Sequence, residues 1–118
     1  MEKQETEKNI AQLQLLEQNL QNFLLQKQNF QSQLIEVDNA FEEVEKSMGS
    51  VYKIIGSVMV LSNKEDIKKD LNEKKEVLNL RIKNIEKQEE KIKEKASKLQ
   101  SEVLSQVGAS RGDENDGQ

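Results

Sequence analysis

V-Y-K-I-I-G-S-V-M-V-L, residues 51–61, decides how this chain is read. Val51, Tyr52, Ile54, Ile55, Val58 and Val60 are β-branched or aromatic, and such residues suit strands. Gly56-Ser57 lies at the centre, and glycine at the first of two central positions suits a type II′ turn. The stretch predicts a β-hairpin with strands near 51–55 and 58–61. The sequence on either side is polar, charged and made of helix formers.

The hairpin's alternation is weak, so apolar side chains point to both faces. A lone two-stranded hairpin is marginal in water, and its edges are open to pairing. Val51, Tyr52, Ile54, Ile55, Gly56, Val58, Val60 and Leu61 therefore form a candidate assembly element that other subunits cover. The competing reading is an apolar turn packed only on its own two helices.

Working outward, the glycines mark the boundaries. Gly49 and Gly56 lie near the middle, Gly108, Gly112 and Gly117 near the end, and there is no proline. Residues 1–48 and 57–107 hold nothing that breaks a helix. In the first arm Leu13, Leu20, Lys27, Leu34, Phe41 and Met48 recur every seven residues. Leu16, Phe23, Phe30, Val37 and Val44 interleave with them. Only Lys27 interrupts this apolar seam, which argues for a coiled coil. The second arm carries Leu71, Leu78, Ile85, Ile92, Leu99 and Gln106, interleaved with Lys75, Ile82, Glu89, Ala96 and Val103. Ser62 with Glu65 reads as a capping box at its entry, Asn63 is a second candidate cap, and Gly108 reads as its stop.

Each arm then has about 42 helical residues, roughly 60 Å at 1.5 Å per residue. Arms of equal length joined by about a dozen residues fold back as an antiparallel hairpin. The expected fold is mainly α, with a helix near 5–48, a β-hairpin near 51–61, a helix near 63–107 and a disordered acidic tail over 108–118. One antiparallel register sets Phe41 near Leu78, Leu34 near Ile85 and Leu20 near Leu99. It brings Lys27 and Glu89 within about one layer of each other, where opposite charges in an apolar seam can fix register. Alternatively both snorkel outward.

Composition narrows the function. The chain of 118 residues is 34% charged, with three Phe, one Tyr, no Trp, no His and no Cys. So charged and aromatic-poor a chain builds little compact core. Residues 1–48 carry 4 basic and 9 acidic side chains, and residues 62–107 carry 12 and 10. Neither arm is a clustered basic face for nucleic acid. There is no thiolate metal site, no EF-hand spacing, no phosphate loop and no catalytic turn. No enzyme activity, metal or cofactor is expected. No apolar run approaches a membrane span, and M-E-K-Q-E-T-E-K-N-I at the start lacks a signal peptide's apolar core. A cytoplasmic protein is expected.

The free ends of the arms carry apolar residues that the seam does not need: Ile10 and Leu15 on the first, Leu104 and Val107 on the second. With Leu13, Leu16, Leu99 and Val103 they make a candidate binding patch about 60 Å from the hairpin. Scattered surface leucines are also ordinary, and Leu24, Leu25, Ile35, Val77 and Leu80 lie off the seam as well. The glutamines of the first arm read as solvated surface, and the Arg111-Gly112-Asp113 tripeptide as a chance match.

The arm, the element V-Y-K-I-I-G-S-V-M-V at 51–60, the capped second helix and R-I-K-N-I-E-K-Q-E-E-K-I-K-E-K at 81–95 together resemble the beta-type subunits of the prefoldin family, of the archaeal kind. The likeness covers roughly residues 8 to 107. It departs at S-M-G-S, 47–50, where many relatives have an acidic or proline-containing lead-in. The resemblance implies a hexamer of two alpha-type and four beta-type subunits, with hairpins joined in a β-barrel body and coiled coils hanging from it. It implies tips that hold unfolded polypeptides without ATP and deliver them to a cytosolic group II chaperonin. A structural tether that only dimerises explains the heptads equally well, but not the two-faced hairpin. A periplasmic chaperone with helical arms is a second rival, against which the missing signal and the acidic charge argue.

A double-mutant cycle with apolar replacements at Lys27 and Glu89 separates the two readings of those charges. A register-fixing pair gives measurable coupling, and two snorkelling side chains give none.

Overall fold

The computed structural model describes the backbone of residues 2–116 and the side chains of residues 3–108. Two long helices flank one antiparallel hairpin, in the order α1 (Glu2–Lys46), β1 (Val51–Ile55), β2 (Val58–Ser62) and α2 (Lys64–Asp116). Among the described residues no helix is long and apolar enough to cross a membrane.

With neither Gly nor Pro inside it, α1 runs without interruption. It stops two residues before the expected end. The Ser47 amide donates to the carbonyls of both Glu43 and Val44, at 3.1 and 3.2 Å, which closes the last turn. Met48, expected as the last seam position, is therefore off the helix and fully exposed. Ser47, Gly49 and Ser50 are poor helix formers, and one Met cannot carry the helix across them.

The hairpin forms where the apolar stretch predicts it, with β2 one residue longer. Pairing runs Val51 with Ser62, Tyr52 with Leu61, Lys53 with Val60, Ile54 with Met59 and Ile55 with Val58. Gly56 has φ of 61°, and among the described residues none other than glycine has positive φ. A positive φ at the first central residue and not at Ser57 is the signature of a type II′ turn. That turn's twist matches the two strands, so a two-residue loop suffices.

Of the two candidate caps on α2, Asn63 takes the role. Its side-chain Oδ1 accepts from the Asp66 amide at 2.8 Å, and its Nδ2 donates to the Asp66 carboxylate at 2.8 Å. The Ile67 amide adds a 3.2 Å bond to the Asn63 carbonyl. Ser62 is instead the last residue of β2. At the other end α2 continues past Gly108 to Asp116. Gly108 does not take the positive φ of a helix stop, and a helical glycine costs only about 1 kcal/mol relative to Ala. The side chains of residues 109–116, and all of residues 117 and 118, lie outside the described residues. The disordered tail expected from residue 108 is thus helical in its described backbone as far as Asp116.

The chain divides into two compact units, Gln26–Asn84 and Met1–Leu25 with Ile85–Gln118. In the first, α1 and α2 run antiparallel. Lys75 binds Asp38 at 2.9 Å, the Lys68 ammonium lies 5.6 Å from the Phe41 ring centre, and the Arg81 guanidinium lies 5.7 Å from that of Phe30. Phe41 thus sits against the turn carrying Lys68, one heptad short of Leu78. The expected register is corrected by that heptad. A slip of seven residues returns apolar side chains to apolar positions, so the seam alone does not select between registers. The junction does: α1 ends at Lys46, α2 begins at Lys64, and the Lys64 ammonium donates to the carbonyls of Glu45 and Ser47. Those carbonyls lie at the electronegative end of α1, where a cation is favoured.

Seam side chains of α1 from Leu13 to Val44 are half-buried. Leu78 and Ile82 are buried in the first unit, and Ile85 and Glu89 in the second. Lys75, expected in the seam, is exposed and spends its charge on Asp38.

Replacing Gly56 with Ala meets no steric obstacle, yet a side chain at positive φ costs about 1–2 kcal/mol. Disulfide-tethered or NMR-observed hairpin populations should fall accordingly. Asn63→Ala should lower helix stability by about 1 kcal/mol, and Leu78→Ala by about 2–4 kcal/mol, both read from thermal unfolding by circular dichroism.

Candidate assembly hairpin and apolar helix ends

The hairpin register sorts its side chains onto two faces, because residues directly opposite share a face. Val51, Lys53 and Ile55 lie with Ser62, Val60 and Val58. Tyr52 and Ile54 lie with Leu61 and Met59. The second face has no charge at all. Its members are broadly exposed, from 54% for Tyr52 to 70% for Ile54. On the first face Val51 is half-buried, whereas Ile55 and Val58 are exposed. Both faces of the hairpin are thus apolar and open. Met59, which the reading of the sequence passed over, belongs with the candidates. Pairing Ile54 across a two-residue turn would have found it.

Between β1 and the two helices lies a groove of about 830 Å³, with Tyr52, Ile54, Val37, Leu71 and Val77 among its walls. Its polar rim includes Lys53 and Asp70. The Lys53 ammonium donates to the Asp70 carboxylate at 2.6 Å, from the only charged residue of the hairpin to the second turn of α2. Their hydrogen bond, then their mutual attraction, raises the Lys53 pKa above the ordinary lysine value and lowers that of Asp70 below the ordinary carboxylate value. Both groups are well exposed, so salt weakens the pair.

The second unit places the remaining candidates. Thr6 donates from Oγ1 to Gln106 Oε1 at 2.9 Å, so the start of α1 lies against the far part of α2. One heptad inward from this bond, Leu13 is level with Leu99. Leu13, Leu16, Leu99 and Val103 are half-buried in the seam, as their spacing predicts. Ile10, Leu15 and Leu104 are exposed, Leu15 to 57% and Leu104 to 65%. Val107 differs from expectation in being half-buried, one position beyond Gln106. Leu24, Leu25, Ile35, Val77 and Leu80 are exposed too, so apolar exposure is not confined to the helix ends.

The comparisons with known proteins agree on one family. The family described as prefoldin subunit matches residues 7–110. The prefoldin subunit beta of Archaeoglobus fulgidus is 35% identical over 105 residues, covering 87% of this chain and 90% of its own length. That of Methanospirillum hungatei JF-1 is 37% identical over 100 residues, covering 83% of each. The crystal structure of the prefoldin beta subunit from Thermococcus strain KS-1 superposes with a TM-score of 0.81 at 33% identity, over 86% of this chain and 90% of that one.

The pKa directions fix the pH window of the Lys53–Asp70 pair. Asp70 contributes above its unfolded pKa and loses the contribution as pH falls through its lowered folded value. Lys53 contributes below its unfolded pKa and loses the contribution as pH rises through its raised folded value. Attachment of the hairpin to α2 should therefore be flat from about pH 5 to 9 and fail at both extremes. An NMR titration of the Asp70 carboxyl, with Lys53→Met as reference, should show the acid midpoint rising in the variant.

Proposed function

Because this chain belongs to the prefoldin subunit family, a family of chaperone subunits, we propose that it holds non-native polypeptides without ATP and passes them to a group II chaperonin in the cytoplasm. Its working form is a hexamer of four copies of this chain and two alpha-type prefoldin subunits. The observation that carries the reading is apolar surface that neither seam requires. In one unit the hairpin offers two apolar faces. An apolar surface of that kind is an interaction site, and an isolated hairpin is too weak to be left alone. In the other unit Ile10, Leu15 and Leu104 stand clear of the seam at the helix ends. A non-native chain exposes apolar side chains, and these residues bind them by removing apolar area from water.

Holding needs no catalytic group. The binding energy is non-directional, which suits clients that share no sequence. Affinity for any one client stays modest because each contact is a single exposed side chain on a helix. Release to a second chaperone then follows without nucleotide hydrolysis. A tether that only dimerises uses the seams and leaves the hairpin faces wet.

Two measurements test this. Native mass spectrometry of the complex recovered from its cells should give four copies of this chain with two of a second coiled-coil subunit. A homodimer alone overturns the assembly. Replacing Ile10, Leu15, Leu104 and Val107 with Ser should leave that mass unchanged and cut the suppression of aggregation of a denatured test protein several-fold. Undiminished suppression overturns the assignment of the client site, and added ATP should change neither result.

A further inference from the structure

The hairpin leaves the helices with little to hold its direction. Apart from Val51 and Ser62 at its base, every strand residue is exposed, so packing against α1 or α2 does not set its angle. On the α1 side it hangs from the four-residue link 47–50. On the α2 side a single residue, Asn63, intervenes, and that residue is fixed by its cap. Among the described residues a further tie reaches from the strands to a helix: the 2.6 Å ion pair from Lys53 to Asp70. Lys64 and Lys68 also cross the junction, but they tie α2 to the end of α1, through the Glu45 and Ser47 carbonyls and the Glu45 carboxylate.

We propose that Lys53 and Asp70 are positioning residues for assembly: their ion pair sets the angle at which the hairpin leaves α2, and with it the face offered to neighbouring subunits. Lys53 shares one side of the hairpin with Val51 and Ile55, while Tyr52 and Ile54 of the other side line the groove with Val37, Leu71 and Val77, so the pair holds β1 at a fixed height over that groove. Tyr52, Ile54, Met59 and Leu61 remain on the side that carries no charge. Left unpaired, the Lys53 ammonium would have to enter the assembly or swing the strands to reach water, and burying it unpaired is costly. The inference rests on the hairpin being the assembly element.

The role concerns geometry more than stability, because an exposed pair contributes little to folding. Losing it should weaken docking about threefold per hairpin. Over four copies that compounds to about 80-fold in the overall dissociation constant of the hexamer, which moves the concentration at which six subunits assemble about two- to threefold.

The test is a charge-swap cycle in the complex with the alpha-type subunit, read by native mass spectrometry across a dilution series. Lys53→Asp and Asp70→Lys should each raise the assembly midpoint about two- to threefold while leaving the helical melting of the free chain unchanged. The double swap should restore most of the loss, and Lys53→Arg should behave as the unaltered chain. If Lys53→Asp alone impairs assembly, or the double swap recovers nothing, Lys53 touches a neighbour directly and the positioning role is overturned. Normal assembly of all three variants overturns it too. A Tyr52→Asp, Leu61→Asp control separates this from the wider reading: if that control assembles normally, the hairpin is not the assembly element and both proposals fall.

Discussion

A seam two helices wide buries only a single file of side chains, and the rest of this structure follows from that limit. Few residues of the described chain are truly buried: Leu78, Ile82, Ile85 and Glu89. The remaining seam positions are half-covered, and their flanks are closed by the stems of long cations. Lys68 lies over Phe41 and Arg81 over Phe30, so two of the three phenylalanines are lidded by charges from the opposite helix. Such stems supply apolar cover while keeping the charge in water. A third helix would cover more, but it would also leave no free surface for partners. The thinness of the seam and the availability of the hairpin and helix ends are one property.

The same limit explains why the hairpin stands bare. Its faces need sheets or helices above and below, and two helices that spend their apolar side on each other have none to lend. On the proposed assembly, neighbouring subunits supply that cover. The chain is best viewed as a subunit whose second apolar surface is completed by association.

Much of this was legible in the sequence because the signals were periodic or local. The heptads of α1 mapped onto half-buried positions from Leu13 to Val44, and Gly56-Ser57 located the turn to the residue. The features that were missed depend on where elements end. Met48 continued the heptad on paper, but Ser47 and Gly49 could not continue the helix. The register was one heptad off because apolar layers are interchangeable under that slip, whereas the Lys64 contact with the end of α1 is a single event that no periodicity encodes. Gly108 looked like a stop, yet a glycine ends a helix only if the backbone turns left-handed there. Val107 was placed outside the seam by strict heptad counting. It is half-buried all the same, beside Gln106, whose side chain accepts from Thr6. Lys53 was invisible as a candidate, since its ion-pair partner lies seventeen positions away.

The junction contact also gives the chain a direction of folding. Lys64 meets Glu45 across 19 residues, while Thr6 meets Gln106 across 100. Closing the longer loop first would cost about 1.5 kcal/mol more in chain entropy, so pairing starts beside the hairpin and zips outward. Each turn formed brings the next pair within reach, and the helix ends join last. Unzipping follows the reverse order. The ends therefore exchange their amide hydrogens soonest, and the chain can open at its free end while its junction stays closed.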